Sequence, residues 1–141
     1  MTEHLEELER SFIMDQSAEH NDLPGLIRQL QVFCKIDRNG HVLIEDNAKK
    51  LAIRDRIMLV LSARHLASRL QEKLKKDITI PEEVHSSIIA NILKENPAVV
   101  AARLKDLKDE HNVIAIKRGT YKIAPYKIQA FLAAVGGNQN D

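Results

Sequence analysis

The chain has 141 residues, 44% hydrophobic and 29% charged, which suits one compact domain or two small ones sharing a core. Its 21 lysines and arginines nearly cancel 20 aspartates and glutamates, so the net charge of +1 points neither to a strongly basic nucleic-acid binder nor to an acidic tail. The single cysteine, Cys34, excludes an internal disulfide and a multi-cysteine zinc cluster. There is no leader of signal-peptide type, and no apolar run near the about 20 residues of a membrane span, so the expectation is a soluble, cytoplasmic protein without a membrane partner.

The near-neutral total hides an asymmetry. Residues 1–22 carry seven acids and one base, a net of −6, which leaves +7 on residues 23–141. The acidic segment opens with an amphipathic helix over Glu3 to about Ile13, with Leu5, Leu8 and Phe12 on one stripe. From Asp15 to Asp22 no apolar period survives, which predicts a linker. Leu23-Pro24-Gly25 then starts a short helix containing Leu26, Ile27 and Leu30.

A β-hairpin is expected next, Val32–Asp37 returning as His41–Glu45 around Asp37-Arg38-Asn39-Gly40. A two-residue Asn39-Gly40 turn would pair Cys34 with Glu45. A three-residue loop with Gly40 left-handed pairs Ile36 with Val42 and Cys34 with Ile44, gathering four apolar side chains on one face, and is the preferred register. From about Lys50 to Lys75 a long helix follows, apolar almost all round between Ile57 and Leu61 and therefore central.

In the C-terminal half, Asp77–Ile80 reads as a short extended element. Thr79 and Glu82 match a capping box, with Pro81 in the first turn of a helix that reaches about Lys94 and turns Val84, Ile88 and Ile92 inward. Asn96 suits the cap of a further helix, Pro97 to about Glu110, burying Val100, Leu104 and Leu107. Val113–Lys117 and Thr120–Ala124 form a second hairpin turning at Arg118-Gly119. Pro125 starts a last helix with Ile128, Phe131 and Leu132 inward, expected to stop at Gly136-Gly137 and leave a flexible tail over 136–141.

From Ile53 onward the order is helix, short strand, helix, tight turn, helix, hairpin, helix. That order, together with Thr79-Ile80-Pro81-Glu82-Glu83, the run Val100 to Leu107 and the hairpin Val113 to Tyr121, resembles the winged helix-turn-helix superfamily of archaeal and bacterial regulators. The resemblance covers about residues 51–135. It implies an α+β, mainly α fold, a winged helix-turn-helix with an N-terminal helix (1–22) and a helix-plus-hairpin module (23–50) in front. It also implies a duplex-DNA partner, contacted by the third helix and the wing.

On that reading, Asn96, Ala98, Ala102 and Lys105 lie on or beside the outward face of the third helix, with Arg103 nearer the core's edge. The alanines suit thymine methyls or close backbone approach, and Lys105 suits base edges or phosphates. Lys117, Arg118, Thr120 and Lys122 fall on the wing, where phosphate and minor-groove contacts are made. The bases Lys105 and Lys108 also alternate with Asp106, Asp109 and Glu110, the pattern of a solvated helix face, so a protein-binding adaptor is the rival reading. An acidic leader covering the basic body is a third. The Leu5, Leu8, Phe12 stripe offers either a homodimer surface or a face that packs back on its own hairpin.

Nothing in the chain asks for catalysis, a metal or a cofactor. The six histidines stand one per segment with no ligand spacing, and the glycines fall at turns and helix ends rather than in a phosphate loop. The aromatic residues Phe12, Phe33, Tyr121, Tyr126 and Phe131 form no evident platform for stacking single-stranded bases.

Overall fold

A computed structural model of the chain describes residues 2–12 and 22–139. With 61% helix and 14% strand the fold is α+β and mainly helical. In chain order the elements are α1 (Thr2–Phe12), α2 (Leu23–Gln31), β1 (Cys34–Ile36), β2 (Val42–Ile44), α3 (Ile53–Lys73), β3 (Val84–His85), α4 (Ser86–Leu93), α5 (Pro97–Asp109), β4 (Val113–Lys117), β5 (Thr120–Ile123) and α6 (Ile128–Gln139). The linker expected before Asp22 falls almost wholly on residues 13–21, and the tail ends on 140–141; both lie outside the described residues.

α3 is the centre of the molecule because its sequence leaves it no solvent face: every residue from Ile57 to Leu66 is buried. It meets α2, the β1–β2 hairpin, α4, α5, β5 and α6. The first hairpin has the three-residue-loop register, Cys34 opposite Ile44 and Ile36 opposite Val42. Gly40 is left-handed at φ 88°, and the Asp37 carboxylate accepts from the Asn39 and His41 N–H groups at 2.9 Å each. A Cβ at Gly40 would sit 2.8 Å from the Arg64 guanidinium carbon, so glycine also admits that buried side chain beneath the loop.

The sequence places the start of α4 too early. Instead of a capping box at Thr79, residues 81–83 are irregular and Val84–His85 forms a strand paired with Tyr121 and Thr120 of β5. The β-branched Val84 is buried on that strand. The Glu82 carboxylate, needed for a capping box, is held elsewhere: Oε1 is 3.3 Å from His65 Nδ1 and Oε2 is 3.6 Å from Arg69. The helix therefore begins at Ser86, capped by His85, whose Nδ1 accepts from the Ser87 N–H at 3.1 Å. With Val84 off the helix, the apolar stripe takes its phase from Ile89 and Leu93, and Ile88 is turned out, 45% exposed.

β3, β5 and β4 make a three-stranded antiparallel sheet in that order. α6 continues through Gly136 and Gly137 to Gln139 rather than stopping at the glycines. Neither adopts the left-handed conformation that would end it, and Ile128, Leu132 and Val135 keep the helix seated on the core.

α3, α4 and α5 end alike. Lys75, Lys94 and His111 follow them with φ of 58°, 56° and 64°. In each case the next residue's N–H reaches back to the last turn: Lys76 to Gln71, Glu95 to Ala90 and Asn112 to Leu107, at 3.0, 3.0 and 2.9 Å. These are Schellman motifs in which a residue with a side chain occupies the position usually given to glycine.

Candidate nucleic-acid interface

α5 begins where its sequence requires. The Asn96 Oδ1 accepts from the Ala98 N–H at 2.8 Å, and Pro97 occupies the first turn, where a missing donor costs nothing. Val100, Leu104 and Leu107 are completely buried, which fixes the rotation of the helix about its axis. Two ion pairs fix its ends. Arg54 grips Glu110 through two bonds of 3.1 and 2.9 Å. Arg56 donates to the Leu51 carbonyl and to Glu95 in the turn before α5. The Arg54 guanidinium hydrogen-bonded to Glu110 holds that carboxyl below its ordinary pKa.

With the rotation fixed, Ala98, Ala102 and Lys105 are exposed on the outer face. Asn96 is exposed too, but its side-chain oxygen is committed to the cap. Arg103 is exposed as well, and pairs with Asp106 one turn on at 3.5 Å. Lys105 forms no ion pair among the described residues. Lys94, which sequence reasoning passed over, is exposed in the α4–α5 turn just ahead of the cap. The signal for it was its place in a three-residue interhelical turn.

The second hairpin follows α5 directly. Val113 pairs with Ile123 and Ala115 with Tyr121. Lys117 then pairs with Thr120, so Ile116 is an extra residue in a bulge, 47% exposed. Lys117 and Arg118 are exposed at the turn. Thr120 is corrected: at 5% exposure it is buried in the sheet. The reason is strand β3, which pairs with β5 at that position. Lys122 is half-buried, its Nζ 4.0 Å from Glu82 Oε1, which directs its charge inward.

The turn is anchored to the body. The Gly119 carbonyl accepts from the Ser86 N–H at 2.8 Å, so the turn rests on the start of α4. Gly119 has φ 79°, and a Cβ there would lie 2.7 Å from His85 Nε2. Gly119→Ala is expected to cost about 1–3 kcal/mol, from left-handed strain and displacement of the His85 ring, seen as a lower midpoint in denaturant unfolding. An unchanged midpoint would show that the turn is not held against α4.

Of the nine residues singled out from sequence, the structure thus exposes Ala98, Ala102, Arg103, Lys105, Lys117 and Arg118, assigns Asn96 to a cap, and withdraws Thr120 and much of Lys122. No group of histidine, cysteine, aspartate and glutamate that could hold a metal occurs among the described residues. No described helix is long and apolar enough to cross a membrane. Comparison of the chain with protein-family models, with curated proteins and with solved structures gives no match.

Proposed function

We propose that this chain is a winged-helix protein that binds duplex DNA through α5 and the β4–β5 turn, acting as a transcription regulator or chromosome-associated factor, without catalysis or cofactor. The observation that carries the reading is the sequence of supports just described. A capped helix with a small, exposed outer face runs straight into a short hairpin whose turn, tied to α4, presents Lys117 and Arg118. Small side chains let a helix approach base edges closely, and cations on a turn whose backbone is anchored suit phosphates flanking the groove. The +7 charge of residues 23–141 gives the long-range attraction.

Fluorescence anisotropy with a labelled duplex at low and moderate salt tests it. Each phosphate contact adds about 0.9 to the slope of log affinity against log salt, so replacing Lys105, Lys117 and Arg118 together with alanine is expected to lower that slope by about 2–3 and the affinity at least tenfold. Binding absent at both salts, or unchanged by the triple substitution, overturns the reading.

A second reading, a protein-binding adaptor, is favoured by one observation. The outer face of α5 pairs Arg103 with Asp106 and exposes Val99, an apolar and charge-balanced surface. One stoichiometric protein partner with no duplex binding selects it.

A further inference from the structure

Away from α5 and the second hairpin, the molecule carries an open apolar groove of about 300 Å³ between α2, β1 and α3. Its α3 wall is Ala63, Leu66, Ala67 and Leu70, and its α2 wall includes Ile27 and Leu30. It runs into a second hollow of about 290 Å³ that shares Ile27 and Leu70 and reaches Leu23 at the start of α2. Two cations stand on the rims, Arg28 and Lys35.

The same chain carries a segment of matching shape and opposite charge. α1 exposes Leu5 (65%) and Phe12 (86%), with Leu8 between them, at the i, i+3, i+7 spacing of a helix that anchors in a groove. Leu5 and Phe12 are seven residues apart, roughly 10 Å of helix, as are Ala63 and Leu70 on the wall. Glu6, Glu7 and Glu9 are exposed on α1 and are opposite in sign to Arg28 and Lys35, the second of which also lies 4.0 Å from Glu45. A helix of 11 residues is marginal in water unless its apolar face is packed against something.

We propose that α1 of one chain docks in the α2–β1–α3 groove of a second copy, and the reverse, to form a closed twofold dimer. The exchange uses the exposed stripe of α1 and the open groove as each protomer presents them, and two identical contacts double the apolar area that a single short helix would bury. The groove shares no lining residue with α5 or the β4–β5 turn.

Sedimentation analysis of the full chain from about 1 to about 200 μM reads the proposal, since a dimer dissociates on dilution. The wild type is expected to dimerise. Leu5→Glu, on an exposed position, and Ala67→Glu, on the groove wall, are each expected to raise the dissociation concentration at least tenfold. Lys35→Glu, whose side chain is 71% exposed, is expected to weaken the dimer in the same direction without touching the core, should Ala67→Glu disturb folding. An equimolar mixture of Leu5→Glu and Ala67→Glu retains one intact helix and one intact groove, and is expected to recover a heterodimer. A wild type that is monomeric throughout, as when α1 closes on its own groove, overturns the proposal. So does a Leu5→Glu variant that dimerises like the wild type, or a mixture that stays monomeric while the wild type does not.

Discussion

Leu104→Ala is expected to destabilise the fold by about 3 kcal/mol, within the range of about 2–5 kcal/mol for removing a fully buried leucine. Leu104 is the middle of three completely buried residues by which α5 is seated. Its loss removes apolar burial and leaves a cavity where α5 meets α3, because the ion pairs of Arg54 and Arg56 hold the two ends of the helix in place and restrict collapse. Urea unfolding followed by far-UV circular dichroism measures the loss. Its effect on duplex binding separates it from the lysine and arginine substitutions: under conditions where the variant is still folded, the salt slope is expected to stay that of the wild type, since no phosphate contact has been removed. A destabilisation below about 1 kcal/mol would mean that α5 can settle inward.

Glu82→Ala is the second large effect, about 2 kcal/mol at neutral pH, within the range of about 1.5–3 kcal/mol for a hydrogen bond to a charged group. The carboxylate accepts a hydrogen bond from Nδ1 of His65, which is completely buried, and lies near Arg69 and Lys122. It thereby joins α3, the segment leading to β3, and β5. His65 hydrogen-bonded to Glu82 holds its carboxyl below the ordinary 4.5, with the neighbouring charges of His65, Lys122 and Arg69 adding to the effect against the opposing cost of burial. A carboxylate depressed in the folded state stabilises above its unfolded pKa, and that contribution is lost as pH falls through the folded value. Wild-type stability should therefore fall with acidification from about pH 4.5 downward, and Glu82→Gln should flatten that part of the profile. Parallel profiles for the two proteins would show that the carboxylate does not couple folding to pH.

The pattern of what could be read in the chain follows the range of the interactions involved. The first hairpin's register was legible because Gly40 and the alternation of Cys34, Ile36, Val42 and Ile44 agree on one loop length. The rotation of α5 was legible because Val100, Leu104 and Leu107 recur at helical spacing, and that rotation placed Lys105 outward. The start of α4 was not legible. Thr79, Pro81 and Glu82 make a good local cap, and what defeats it is a strand partner some 35 residues further on, with a histidine 17 residues back competing for the same carboxylate. The same distant pairing buries Thr120. For Arg103 the helical period gives only the direction of the Cβ, and the pairing with Asp106 decides where the long side chain lies.

The ends of α3, α4 and α5 carry a consequence for how the molecule assembles. Lysine or histidine in a left-handed turn is locally unfavourable, so a peptide cut to any one of these helices has little reason to stop where the protein stops. The turns at Lys75, Lys94 and His111 are imposed by the core that the three helices share. The directions of α4, α5 and β4 are therefore expected to be set together, with α5 taking its final orientation as the domain closes around α3.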